Sequence, residues 1–542
     1  MLTYSELPKI KRKDRPWLLV IMALLWVAGS CFFHDPWEPY EPYVVAIVKG
    51  IIASNSWLIP YLSPNKPYLD LQPFYFWLFA IPIKIFDFTN IANAVRLINA
   101  FIIFSFIFVM GKVGHNLSAF KNGRTVVMIL ISTIGFINNA YQLSPHIVVL
   151  LGFALLLYAL QNYLKSPGAS AGILSLAFMC ISTHFTVQFL LTAILLLVIL
   201  PMCHHVWRNK QYVICVLGGL LLFLIVFISY IFQLYVTDPN FLSVWIAQYF
   251  SFANFSSLTF GLLWKYVYTY FWYLIPSCFL LIWTIYKRKN KLLKDTSTLP
   301  LAILAVLFTV FALLNSSIDE SIIFPIIVPV VLLSSLEVDS IRINFVSLFN
   351  WFSIFIFGSC GGALIALYLS LAYGHPYDVL QLAYKYAPNY RFHINFWQIL
   401  LAFIILVIWL FMITRKHIRG REVVSNWAAG STFVAVMFMA LCLPWFNSML
   451  SFNSIVGASS KHVNTSGNSC VASISGNHLE DALWYYYQGI HLVPSNNLYN
   501  SACDQAIITM MNGNFPELDG WKVVWRGRRA IDFKTYYLLE RQ

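Results

Sequence analysis

Charge is what this sequence has least of: Asp, Glu, Lys and Arg make up 11% of its 542 residues, and Asp plus Glu number only 22. An ordinary soluble domain carries about twice that share, so the chain is not a water-soluble globule. No internal repeat or low-complexity tract stands out, which leaves a solenoid or array without support. Of the nine cysteines, all but Cys470 and Cys503 lie in or beside apolar stretches and read as packing residues. Those two sit in a polar tail, where a disulfide would suit an oxidising compartment and two separate thiols are the alternative.

What is abundant is apolar surface: 59% of residues are hydrophobic and 17% aromatic, and the mean hydropathy is +0.70. This is the profile of a polytopic membrane protein. About fourteen apolar segments recur, at 17–33, 74–87, 95–112, 125–142, 146–163, 170–182, 185–203, 212–233, 267–286, 299–314, 321–336, 345–373, 396–414 and 428–448. Each must satisfy its own backbone in lipid, so helices are expected.

The formal charge of +13 sits mostly in short clusters between these segments: Arg208/Lys210, Lys287–Lys289 with Lys291 and Lys294, and Arg415/Lys416/Arg419/Arg421. Such clusters follow the positive-inside rule and give no case for nucleic-acid binding. Lys9, Lys11, Arg12, Lys13 and Arg15 precede the first segment and put the N-terminus in the cytoplasm, with 17–33 a retained span because no small-residue cleavage site follows. The basic clusters then leave 234–265, 315–320 and 374–395 outside. An exit after 428–448 needs an odd number of crossings, about thirteen. Segment 74–87, short and carrying Pro82 and Lys84, is expected to be partial; the alternative is that 170–203 is one span wrongly divided.

From about 452 the composition turns polar, with a helix-like "NHLEDALWYYYQG" and strand-like "GWKVVWRGRR" and "KTYYLLERQ". The expected architecture is an all-α transmembrane domain over 1–451, with a first outer loop at about 34–73, and an extracytoplasmic α/β domain over 452–542.

The first outer loop is acidic and aromatic. "WEPYEPYVV" (37–45), "SWLIP" (56–60) and "DLQPFYFW" (70–77) are followed by "LSPHIVV" (143–149), "STHFTV" (182–187) and "IIFPIIVP" (322–329). In order and position these stretches resemble the motifs of the aminoarabinose-transferase and protein O-mannosyltransferase superfamily, membrane glycosyltransferases of the GT-C fold. The resemblance implies transfer of a sugar from a polyprenyl-phosphate carrier to a lipid, glycan or protein acceptor on the outer face, in what is expected to be a bacterial inner membrane. It spans most of the chain but departs at the acids. The family's first loop aspartate aligns with Tyr40, leaving Glu41 of the pair. A second-loop aspartate aligns with His146, a phosphate-side lysine with His184, and a glutamate with Asp70.

Such a transfer needs a base for the acceptor hydroxyl and positive or hydrogen-bonding groups for the departing phosphate. Tyr40, a phenol of ordinary pKa near 10, is a poor base. Glu41 leads as the candidate, with Asp35 and Glu38 behind it, against the plain reading of a solvated acidic loop. Asp70 would help to organise the site, with His146 offering a divalent metal site, or would merely sit at a helix N-terminus before Phe74. His146 and His184 would bind phosphate when protonated, or a metal when neutral, or serve only as hydrogen-bonded structural groups. Lys49 and Lys265 are candidate contacts for the carrier phosphate, or interfacial anchors. Two other readings of the chain are a catalytically inactive lipid-binding or partner protein on this scaffold, favoured by Tyr40 and His146, and a transporter. The transporter is disfavoured by few intramembrane charges and no inverted repeat.

Overall fold

The computed structural model describes residues 17–28, 34–63, 66–117, 122–140, 142–250, 260–289, 291–315, 320–414, 420–463, 470–474, 478–495, 498, 501–511 and 520–542. The basic residues Lys9–Arg15 and Arg415, Lys416 and Arg419, on which part of the expected orientation rests, lie outside the described residues, as does most of the 315–320 loop.

Apart from a short ribbon in the first outer loop, the first part of the chain is built, in its described elements, of helices. It runs α1 (Trp17–Ala28), α2 (Glu41–Ser54), α3 (Pro73–Phe86), α4 (Ile91–Leu117), α5 (Asn122–Ser132), α6 (Ile134–Ala140), α7 (Pro145–Asn162), α8 (Pro167–Ile181), α9 (Gln188–Cys203), α10 (Lys210–Thr237), α11 (Pro239–Tyr249), α12 (Phe260–Tyr273) and α13 (Ser277–Arg288). Further apolar helices follow at Leu299–Leu314, Phe324–Ser334, Ile343–Tyr373, Phe396–Ile413 and Gly420–Leu450. Every one of the apolar segments read from the sequence therefore carries a helix. Among the described residues six are single helices long and apolar enough to cross a bilayer, or eight if each of two bent pairs counts as one span. Segment α3 is short: its 14 residues with Pro82 inside rise about 21 Å, less than a hydrocarbon core. Residues 170–203 are indeed two helices, α8 and α9, separated by the turn 182–187.

Two segments expected as straight spans are broken. Segment 125–142 bends by 69° between α5 and α6, and 267–286 by 101° between α12 and α13. Pro276 has no N–H to continue the second helix, and its break leaves the Ile275 carbonyl unused. That carbonyl accepts the Ile134 N–H at 2.9 Å, the group freed by the first break. Each interruption thus satisfies the other, which is how non-helical backbone is tolerated at membrane depth. Gly135 makes the approach feasible, since a Cβ there would run into the Tyr273 ring.

Between α2 and α3 the outer loop forms a small antiparallel ribbon, β1 (Tyr61–Ser63) with β2 (Lys66–Pro67). Beyond helix Asn453–Ser460 the chain forms a five-stranded sheet of β3 (Val471–Ser473), β4 (Leu492–Pro494), β5 (Gln505–Met511), β6 (Trp521–Gly527) and β7 (Lys534–Arg541), in the order β4-β3-β5-β7-β6. Strands β4, β3 and β5 are parallel, and β5, β7 and β6 antiparallel. The crossover between β3 and β4 is the helix His478–Gln488. Alternation along β7 sends Tyr536 and Leu538 to one face, against Trp484 and Phe452, and Tyr537 and Leu539 to the other, with Cys503. Cys470 and Cys503 form a disulfide across this second face.

Candidate active site

The first outer loop turns into α2 at Tyr40, with Glu41 and Pro42 opening the helix where a carboxylate and a proline both suit the first turn. Glu41 is nevertheless only 4% exposed. Its Oε2 accepts the Trp37 N–H at 3.1 Å and the Arg96 Nη2 at 3.3 Å, with His34 Nδ1 at 3.8 Å. Arg96, from the first turns of α4, is itself 2% exposed. A buried carboxylate requires such a partner. No described donor holds Oε1, so the carboxylate is gripped by one oxygen and offers the other. Arg96 Nε is likewise buried with no hydrogen-bond partner.

The other loop acids do different work. Asp35 Oδ2 accepts the Ser451 hydroxyl at 2.6 Å. Asn447 Oδ1 accepts both the Asp35 N–H at 2.8 Å and the Trp37 indole N–H at 3.1 Å, which pins the loop to the end of helix Gly420–Leu450. Glu38 accepts Arg529 Nη2 at 2.9 Å, while that guanidinium also forks onto Asp532 and donates to the Leu450 carbonyl. Both acids are therefore engaged in fixing the loop. Asp70 is exposed on the rim, near the stacked pair Tyr43 and Tyr68, and does not cap α3, whose N-cap is Gln72.

The remaining motif residues converge beside Glu41. Ser144 caps α7 and accepts the His146 N–H. His146 Nε2 lies 3.5 Å from the Tyr40 hydroxyl. The His184 ring is 5.8 Å from that of His146, and Phe324 packs edge-on against His146 at 6.0 Å. Thus "WEPYE", "LSPHIVV", "STHFTV" and "IIFPIIVP" meet around His146.

His184 has a defined tautomer. Its Nδ1 accepts the Thr186 N–H at 3.3 Å and faces the Thr186 hydroxyl at 3.2 Å, so in the neutral ring the proton is on Nε2. That Nε2 is buried and has no partner. Burial, with His146 beside it, holds the imidazole well below its ordinary pKa. His184 Nε2 is therefore a buried donor without a partner, and burial favours the neutral ring over the protonated one. The cause is desolvation in a site 1% exposed, which disfavours the cation.

The residues do not fit a divalent metal. Among the described residues no three His, Cys, Asp or Glu side chains gather as a ligand set, and Asp70 stands on the rim while His146 faces Tyr40. Two lysines also fall elsewhere. Lys49 donates to the Tyr485 and Tyr486 carbonyls at 3.1 and 3.0 Å, at the C-terminal end of helix His478–Gln488, where a cation is favoured. Its ammonium is taken by protein and is not turned to a phosphate. Lys265 is on the exposed face of α12, with Trp264, Tyr268 and Trp272, whereas Tyr266 and Tyr273 are buried.

Sequence reasoning missed several groups. Arg96 carried a signal, as a lone charge opening an apolar segment. Tyr75 follows the "DLQP" stretch; its hydroxyl is buried without a partner, within electrostatic reach of Glu41 and Tyr40. Asn139 donates to the Tyr273 hydroxyl, and Tyr273 packs on Phe324 at 6.2 Å, which ties the double break to the His146 side of the pocket. Tyr486 and Tyr487 bring the sheet region over Arg96, Asp35 and, for Tyr486, Glu41.

No family model matches the sequence, and no curated protein matches it. The three-dimensional arrangement, mostly helical with a small C-terminal sheet, is that of the GT-C fold. The particular likeness is to ArnT from Cupriavidus metallidurans, in its apo structure and bound to undecaprenyl phosphate: in each case the TM-score is 0.66 at 14% identity, covering 97% of this chain and 97% of that one. A lower similarity exists to the archaeal oligosaccharyltransferase AglB from Archaeoglobus fulgidus, solved with an inhibitory peptide and a dolichol-phosphate: TM-score 0.39, 13% identity, over 88% of this chain and 64% of that one.

Proposed function

We propose that this protein is an integral-membrane glycosyltransferase that moves a sugar from a polyprenyl-phosphate carrier to a lipid, glycan or protein hydroxyl on the outer face of a bacterial inner membrane. The observation that carries this reading is a buried carboxylate, Glu41, held by Arg96, next to Tyr40, which meets His146 and through it His184, with Arg96 Nε and His184 Nε2 left without hydrogen-bond partners. It is supported by a fold shared along almost the whole chain with a protein solved bound to undecaprenyl phosphate.

In this reading Glu41 Oε1 takes the proton of the acceptor hydroxyl. The acceptor oxygen bonds to the anomeric carbon as that carbon's bond to the phosphate oxygen breaks, and the electron pair leaves with the polyprenyl phosphate. His184 Nε2–H and Arg96 Nε–H stabilise the charge that grows on the departing phosphate, in a dry pocket where such donors count most. Tyr40, held by His146, orients the acceptor side. The chain is read as two units, 1–451 and 452–542, with about thirteen crossings, a cytoplasmic N-terminus and an extracytoplasmic sheet region.

Glu41→Gln tests it. Reconstituted with the lipids that co-purify with it, the wild type should release polyprenyl phosphate, whereas the variant should retain the intact carrier-linked sugar by mass spectrometry and transfer none. Full transfer by Glu41→Gln would defeat the assignment. Tyr40, standing where the family has an acid, favours one second reading, a carrier-binding protein without transferase activity. That reading predicts bound carrier and no turnover in the wild type as well.

A further inference from the structure

A pocket lies elsewhere in the fold, with none of the candidate site residues in its lining. It is a groove of about 650 Å³ between α13, the start of helix Ile343–Tyr373 and the start of Gly420–Leu450. Phe279, Trp283, Tyr286, Phe345, Phe349 and Val423 line it, and Arg342 closes one end.

Its position follows from the helices that form it. Gly420–Leu450 begins at the groove and ends at Asn447, which holds Asp35 and Trp37; its 31 residues rise about 46 Å, the full thickness of a bilayer with its headgroups. Likewise α13 starts at the Pro276 break and reaches the groove's polar end only at Arg288. The groove and the Glu41 pocket therefore open toward opposite membrane faces.

The charges at that end are unequal in their commitments. Arg288 is paired with Glu337 at 2.7 Å and Arg421 with Asp339 at 2.6 Å, and Glu422 lies on the same first helical turn as Arg421. Arg342, Lys287 and Lys289 are exposed and have no acidic partner among the described residues. Lys287 rides over the Trp283 ring and Lys289 over Tyr286, at 5.7 and 5.9 Å. Trp283 is fixed by its N–H to the Ser340 hydroxyl at 3.0 Å. Arg342 thus lines an aromatic, apolar trough, and Lys287 and Lys289 stand over two of its rings. A net positive mouth over a hydrocarbon-lined channel complements one ligand type, a phosphate ester carrying acyl chains.

We propose that this groove is a binding site for an anionic two-chain phospholipid, separate from any carrier lipid in the Glu41 pocket. The headgroup phosphate lies among Arg342, Lys287 and Lys289, and an acyl chain lies along Phe345 and Phe349. The zwitterionic lipid of the same chains fits the trough equally but gains less at the mouth, because its own cation opposes the three.

Native mass spectrometry of the full chain tests this, with phosphatidylglycerol and phosphatidylcholine of identical chains added in equal amounts. Phosphatidylglycerol should be retained preferentially. Arg342→Gln and Lys287→Gln should each lower its retention about fivefold while leaving phosphatidylcholine unchanged. Val423→Trp, which fills the trough, should reduce both lipids, with the melting temperature checked so that loss of fold is not mistaken for loss of binding. Equal retention of the two lipids, or phosphatidylglycerol binding unmoved by the two Gln variants, would overturn the proposal. So would competition by undecaprenyl phosphate at equal concentration, or equal stabilisation by inorganic phosphate alone, since the first makes this a carrier site and the second a simple anion site.

Discussion

Arg96 reaches Glu41 at 3.3 Å across the interface of α4 and α2, and both side chains are almost wholly out of water. Neither charge could stand there alone. Arg96→Met should therefore leave a buried carboxylate uncompensated and cost about 3–5 kcal/mol. The expected result is a markedly lower melting temperature and a loss of transfer; a variant as stable as the wild type would show that the pair is dispensable.

Glu41→Gln keeps the shape and the Trp37 and Arg96 contacts but removes the base. Transfer should fall by about 10²–10⁴-fold, the usual worth of a positioned proton acceptor. Thermal stability should fall as well, because the buried Arg96 guanidinium loses its counter-charge. Single-turnover measurement with the co-purified carrier separates this from a defect in binding.

The hydroxyl of Tyr40 sits 3.5 Å from His146 Nε2, so Tyr40→Phe removes this weak contact without removing a charge. Turnover should drop by about tenfold or less. A fall as deep as that of Glu41→Gln would move the proton-accepting role from the carboxylate to the Tyr40–His146 pair.

His184 gives a pH dependence with a definite sign. Its folded pKa is held well below the ordinary value near 6.5 by burial and by His146. As pH falls below about 6.5 the unfolded chain binds a proton that the folded chain refuses, so stability declines in that direction. Melting temperatures taken from pH 7.5 down to 5 should show this slope, and His184→Asn should flatten it. An unchanged slope in the variant would locate the effect elsewhere.

Reduction of the Cys470–Cys503 disulfide opens a link that spans a separation of 33 residues. In the chain-entropy account this costs the sheet region about 3–4 kcal/mol. Reductant should lower the stability of that region, and Cys503→Ser should remove the sensitivity.

Much of this was written in the sequence, for identifiable reasons. Long apolar segments declare themselves because each must meet the bilayer's thickness, and helix His478–Gln488 and strands β6 and β7 because their periodicities are complete. The short strands β3 and β4, of three residues each, carry too little pattern to be read. The breaks at Thr133 and at Leu274–Pro276 were hidden because each is stabilised by the other, a relation between residues far apart in the chain. In the site, Glu41, His146 and His184 were legible by position in ordered motifs. Arg96 and Tyr75 were not singled out, since one arginine and one tyrosine in apolar helices look like any others until the fold gathers them. Lys49 misled for the opposite reason: a cation near an acidic loop invites a phosphate, whereas the fold spends it on two carbonyls.

Arg529 holds Glu38 across a separation of 491 residues, and that has a bearing on biosynthesis. The ribosome completes the first loop long before the arginine that secures it, roughly 25–100 s earlier at ordinary elongation rates. During that interval the first loop lacks this fastening, which forms only with the last stretch of translation. Truncations or bulky tags near the C-terminus should therefore be felt at the opposite end of the polypeptide.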